Sequence, residues 1–383
     1  MPAPKLSKEL AEQAVNTLRT VLSEGVRPPG TTGHGFGAME IGARRLNMSC
    51  RGFNHRLNIA KELYGLDWKT EQPPYNPERQ FTIPPLPDPD PPATELLEYR
   101  ESVFNRKFDA HKARKLIPIQ VNCDGPVGII HFGDPHIDDD GCDVPSLRRD
   151  VALVNKTDGM FAANLGDLSN NWVGRLARLY GEQSTSARQG WKLVEWLVGS
   201  VPWLYIVGGN HDCWSGAGDP IKWMTASAGT VYEAWGARVA LRFPNGKSVR
   251  VNARHDFSGH SMWNPNHGPM KATMGGWRDH ILTCGHKHIS FITGPLKDPA
   301  TGLLSWAIRC AGYKVIDGYA TEKGLPDQNS FPSAVTIIDP TKGDDDPNLI
   351  CVFAGTEEAC DFLEFKRKKA GVWKRGAGTH EAH

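Results

Sequence analysis

Residues 128–143, GIIHFGDPHIDDDGCD, run from an apolar segment straight into five aspartates and two histidines. Gly128, Ile129 and Ile130 read as a buried strand. Carboxylates crowded at the end of such a strand have two readings, an acidic surface turn or a metal site. The rest of the chain decides between them.

Polar motifs recur wherever a strand candidate ends. GIIHFG leads to Asp134 and His136, and AANL to Gly166-Asp167. LYIVG leads to Gly209-Asn210-His211-Asp212, VRVNAR to His255, and ILTC to Gly285-His286-Lys287-His288. Ligands bind at the carboxyl ends of strands in open α/β sheets, so five such ends would converge on one place. Carboxylates, imidazoles and an amide oxygen suit borderline-hard divalent ions, with manganese first and iron or zinc as alternatives. Gly133, Gly166, Gly209 and Gly285 precede the candidates, where sharp turns or close backbone approach exclude a Cβ.

Taken in order, D-x-H, GD, GNHD, a single His and GHxH resemble the signature of the calcineurin-like metallophosphoesterase superfamily, over roughly residues 125 to 315. The resemblance implies a four-layer α/β/β/α sandwich with a dinuclear centre. One ion would be held by Asp134, His136, Asp167 and His288, the other by Asp167, Asn210, His255 and His286, with Asp167 bridging. Two such ions clamp a phosphate and lower the pKa of a bound water for in-line attack on phosphorus. His211 would face the leaving-group oxygen, and Asp212 would orient it and raise its pKa. Where many members carry a second acidic residue or a histidine after GD, this chain has Ser169, Asn170 and Asn171. These amides either hydrogen-bond a phosphate or cap a helix. His255 is preferred to His260 and His267 as the fourth-motif ligand because it follows its strand directly. His260 and His267 are then substrate-side or structural. Asp138, Asp139 and Asp140 read as a solvated turn, one of them available to steady a ligand histidine.

The chain has 383 residues and a net charge of +1, so attraction to a polyanion must be local. Its eight cysteines form no CxxC pair and read as reduced thiols. No apolar run reaches the ~20 residues a membrane span needs. The amino terminus is not a signal peptide, and the expectation is a soluble, cytoplasmic protein without a membrane partner.

Three further segments flank the phosphoesterase-like domain, placed at 93–360. Residues 1–70 read as a helical module whose first helix turns Leu6, Leu10, Ala14, Leu18 and Leu22 to one face. GARRLNMSCRGFNHRL resembles a helix-turn-helix, with Asn47 in the turn, Ser49 as cap and Arg51, Asn54, His55 and Asn58 facing outward toward DNA. This module carries ten Lys and Arg against six Asp and Glu. Residues 71–92, with nine prolines, read as a stiff linker. Residues 361–383 read as a basic, partly disordered tail. The expected function is a metal-dependent phosphodiesterase acting on nucleic acid, as in the DNA-repair nuclease branch of the family. Hydrolysis of a small phosphate ester or nucleotide is the alternative, and a DNA-binding protein with an inert metal centre is the second alternative.

Overall fold

The structure, a computed structural model, describes residues 6–26, 37–69, 89–214, 219–327 and 329–374. The chain divides into two compact units, Met1–Pro92 and Ala93–His383. Residues 71–88 of the expected proline-rich linker, with residue 70 before it, and the last residues, 375–383, lie outside the described residues.

The first unit holds helices α1 (Lys8–Ser23), α2 (Ala38–Arg45) and α3 (Cys50–Tyr64). The inward face of α1 differs from the expected one. Ala11, Ala14, Val15, Leu18 and Val21 are buried, whereas Leu10 is 39% exposed. Steps of four drift around a helix of 3.6 residues per turn, and the stripe that meets its neighbours alternates steps of three and four. Between α2 and α3 the chain turns at Asn47, in the left-handed region with φ 50°. Ser49 Oγ accepts from Gly52 N at 3.1 Å and so caps α3. Phe53 and Leu57 pack inward, while Arg51, Asn54, His55 and Asn58 are exposed.

The second unit opens with α4 (Ala93–Arg114) and then builds two six-stranded sheets. One sheet has the order β12 (Ile350–Phe353), β11 (Ser333–Ile338), β2 (Val127–Phe132), β3 (Met160–Asn164), β4 (Trp203–Gly208), β5 (Val231–Ala234). Strands β2 to β5 are parallel, and β11 and β12 join antiparallel. The other sheet has the order β1 (Ile117–Gln120), β6 (Gly236–Arg242), β7 (Ser248–Arg254), β8 (Ile281–Cys284), β10 (Leu304–Arg309), β9 (Phe291–Lys297) and is mixed. Parallel neighbours need crossovers, supplied here by α5 (Val144–Lys156) and α6 (Ala187–Ser200). Asp143 caps α5 through Ser146 N at 3.1 Å, and Ser186 with Gln189 forms a capping box on α6.

Strand periodicity places successive side chains on opposite faces, and β2 shows what that does here. Ile129 joins Tyr205, Val239, Val251 and Ile308 between the sheets. Ile130 and Phe132 join Leu147, Val151, Val194, Leu197 and Leu363 on the helical side. Outside the second sheet, α9 (His267–Met274) brings Ala272 against Leu282, Cys284 and Phe257. The layers therefore run helix, sheet, sheet, helix, the four-layer sandwich expected. Burying one such Ile or Phe is worth about 1.5–3 kcal/mol.

The expected tail is corrected over its first part. Helix α11 (Thr356–Lys369) crosses the boundary set at 360. Its Leu363 enters the core, and the guanidinium of buried Arg367 donates to Asp158 Oδ2 (2.9 Å) and to the carbonyls of Asp124 (3.0 Å) and Pro126 (2.7 Å). The basic run is a last helical turn, where cations suit the partial negative charge of the carbonyl end. Among the described residues no helix is long and apolar enough to cross a membrane.

Candidate metal centre

Strands β2, β3 and β4 of one sheet and β7 and β8 of the other end on the same side. The segments that follow bring Asp134, His136, Asp167, Asn210, His255, His286 and His288 together. Asn210 and His211 open a single helical turn, α7 (Asn210–Cys213). Three overlapping groups have ligand atoms within 4.8 Å of one another: Asp134, His136 and His288; His136, Asp167 and His211; Asp167, His255 and His286.

Around Asp134, Oδ2 lies 3.5 Å from His288 Nε2 and accepts from His286 N at 2.8 Å. His136 Nε2 stands 3.9 Å from Asp167 Oδ2. The second half of the cluster centres on His255. Its Nδ1 donates to the Leu165 carbonyl at 3.0 Å, which leaves Nε2 inward. That Nε2 meets Asn210 Oδ1 at 2.8 Å, His286 Nδ1 at 3.0 Å and Asp167 Oδ2 at 3.2 Å.

The backbone is bent to make these approaches. His136, Asp167, His286 and His288 take left-handed φ values of 40°, 49°, 70° and 49°. Such conformations are uncommon outside glycine and cost of order 1–3 kcal/mol each unless the surroundings compel them. Two glycines show how closely the loops approach. A Cβ on Gly285 would collide with the Asp134 carboxylate, and Gly166, at φ 118°, would set one against the His255 ring.

The electrostatics fit a cation. With Nδ1 of His255 donating, its Nε2, the Asn210 oxygen and the Asp167 carboxylate all present lone pairs to one point. Burial opposes charge on His255, but Asp134 and Asp167 outweigh it and hold its pKa up to about 10. Buried Asp134 Oδ1 and His136 Nδ1 have no hydrogen-bond partner. Unsatisfied buried atoms of this kind suit a divalent ion, whose binding displaces protons.

No family model matches this chain, and no curated protein matches it. Solved structures do. The chain is similar to calcineurin-like phosphoesterases. Against the calcineurin-like phosphoesterase YfkN of Bacillus subtilis it is 11% identical, over 64% of this chain and 97% of that one, at a TM-score of 0.33. Vacuolar protein sorting 29 of Cryptosporidium parvum is 15% identical over 60% of this chain and 97% of that one, at 0.33. A conserved predicted phosphoesterase of Streptococcus pneumoniae is 14% identical over 60% and 98%, at 0.26. Likeness at this level assigns no activity.

Several expected roles are corrected by the geometry. Asp212 does not orient His211. Its oxygens accept from Gly209 N (2.9 Å) and Leu168 N (3.1 Å), and burial beside Asp167 pushes its pKa up to about 8. The Asn170 carbonyl faces His211 Nδ1 instead, at 2.5 Å. Asn170 and Asn171 cap no helix, since Val173 precedes the next helical turn. Asn170 Nδ2 donates to Asp139 Oδ2 at 2.7 Å and to Gln183 Oε1 at 3.1 Å, and Asn171 Nδ2 to the His211 carbonyl at 2.7 Å. Asp138 to Asp140 lie in the expected turn, but it is solvated only at Asp140. Asp138 is buried and accepts from Asn170 N at 2.7 Å, and Asp140 accepts from Ser184 N at 2.9 Å. Together they pin the loop after β3. His260 lies exposed on the loop after β7 and is in none of the three groups. His267 opens α9.

Other residues of the site carry no motif. Trp172 and Trp214 flank the His211 ring, with centroids at 5.2 and 4.3 Å. Lys314 Nζ lies 3.0 Å from Asp139 and 3.5 Å from Asp317. Buried Arg309 donates to the Gly285 carbonyl at 2.7 Å and to Asp256 Oδ1 at 2.8 Å, and so holds the turn that carries His286 and His288. The one available sequence signal was position, since Trp172 stands five residues after GD and Trp214 two residues after GNHD.

Proposed function

We propose that this chain is a metal-dependent phosphoesterase with two ions bridged by Asp167. The observation that carries the reading is the chain of overlapping Asp and His groups joined through His136 and Asp167. Asp134, His136, Asp167 and His288 would hold one ion, and Asp167, Asn210, His255 and His286 the other. Two divalent ions so held would supply a water of lowered pKa and positive charge to offset that gathering on the phosphoryl oxygens.

The protein's own groups do the rest. Asp167 Oδ1 accepts from His211 N at 2.9 Å, which fixes the ring beside the centre. With Nδ1 donating to the Asn170 carbonyl, a protonated His211 keeps its Nε2 proton for the departing oxygen. The finer reading is a phosphodiester of nucleic acid, DNA first. It is supported by the exposed Arg51, Asn54 and Asn58, which line a groove of about 590 Å³ on α3 together with Lys61, Trp68 and Lys69. Purified protein with manganese is incubated with labelled single- and double-stranded DNA and with bis-p-nitrophenyl phosphate. Cleavage of either class above a His211→Ala control supports phosphoesterase chemistry, and cleavage of the DNA supports the nuclease. No turnover above that control on any substrate sinks both.

A further inference from the structure

Trp214 stands against His211 and the backbone of Trp235 adjoins the candidate centre, with 37% and 52% of their surface exposed. Trp214 lies against His211, tilted 44° to its ring. Trp172, with its centroid 5.2 Å from the same ring, is fixed, its Nε1 donating to Gln183 Oε1 at 2.9 Å. Trp235 marks the opposite end. Its N donates to the Gly208 carbonyl at 2.7 Å, and its carbonyl accepts from His255 N at 3.1 Å. Asn210 lies between the two, next to His211 in the chain and 2.8 Å from His255 Nε2. Trp235 also holds a left-handed φ of 68°. A bulky residue in that region, with its indole still in water, is compelled there by its surroundings and points to use.

We propose that Trp214 and Trp235 are stacking platforms on the two sides of a phosphate bound at the centre, so that the substrate's ester groups carry nucleobases. The inference rests on the phosphoesterase reading of that centre and narrows its substrate. Every base offers a π-face, so stacking on indole favours nucleotides over sugar phosphates without selecting a base. If Trp214 only braced His211, its loss would act on every ligand alike.

Calorimetry on the full chain with manganese tests this, with adenosine 5′-monophosphate, ribose 5-phosphate and inorganic phosphate as probes. The nucleotide is expected to bind on the order of tenfold tighter than ribose 5-phosphate. Trp214→Ala removes that advantage and leaves the other two probes unchanged, and Trp214→Phe keeps most of it. Trp235→Ala is read with the dinucleotide thymidylyl-thymidine, whose second base needs the second platform, and is expected to leave the mononucleotide unaffected. Equal wild-type affinity for the nucleotide and ribose 5-phosphate overturns the platforms and leaves the phosphoesterase reading standing. So does an equal loss on all three probes in a Trp214→Ala protein of unchanged circular dichroism. Losses on mononucleotide and dinucleotide alike in Trp235→Ala overturn the two-sided arrangement. If none of the probes binds, the platforms and the phosphoesterase reading fall together.

Discussion

His211 is held from two parts of the chain: Asp167 accepts from its amide and the Asn170 carbonyl faces its Nδ1, while Trp172 of the same loop and Trp214 stand against its ring. A ring so constrained serves proton transfer better than ion binding. His211→Ala is therefore expected to lower turnover by about 10²–10⁴-fold with manganese content unchanged by plasma mass spectrometry. Loss of the metal instead would make His211 a ligand. Gly285→Ala should do the reverse. The new methyl group pushes the Asp134 carboxylate out of place, so metal content is expected to fall while the far-ultraviolet circular dichroism stays native. The clustered residues were legible because Asp, Asn and His after apolar runs are rare and costly. The role of Asp212 was not, because its partners are backbone amides of Gly209 and Leu168, and no residue type encodes a backbone contact.

Elements were legible where periodicity was long and misread where composition spoke louder than pattern. The strands that carry the site are short apolar runs ending in Gly or Asp. Four strands, β1, β5, β6 and β9, leave little trace in the sequence. β1 has only four residues, β5 and β6 run together around Trp235 and Gly236, and edge strand β9 contains Gly294 and Pro295. Proline is tolerated there because an edge strand leaves some amide positions unpaired. Helix α11 was taken for a tail from residue 361 on because Lys and Arg crowd its last turn, yet one of those cations is among its most buried groups. Arg367→Ala strips the partner from Asp158 and two carbonyls. It is expected to cost about 3–5 kcal/mol in urea unfolding, whereas Lys369→Ala, at an exposed site, should leave the midpoint unchanged.

The molecule as a whole should lose stability in acid for a reason separate from its centre. His131 is fully buried in β2, with Nε2 3.0 Å from Thr336 Oγ1, and burial lowers its pKa to about 3. In the unfolded chain it titrates near 6.5. As pH falls, the unfolded state binds the proton first. The contribution of His131 is therefore complete above about 6.5 and drains away toward about 3, at up to about 1.4 kcal/mol per pH unit. Between pH 7 and 5 the urea-unfolding free energy of the wild type should fall about 2 kcal/mol more than that of His131→Gln. Parallel curves would show that His131 is protonated in the fold.

The antiparallel pairing of β2 with β11, which sets Phe132 opposite Ser333, has a consequence in time. The strand that carries the first two candidate ligands is synthesised long before the strand that closes one of its edges. At about 5–20 residues per second on the ribosome, roughly 10–40 s pass between them. Through that interval Val127–Phe132 presents an apolar, half-paired edge, the kind of surface that recruits chaperones or other nascent chains. Gly133, beside Asp134, donates to the carbonyl of Pro332 at 3.2 Å, so the loop of the first candidate ligands gains this support only once β11 has arrived.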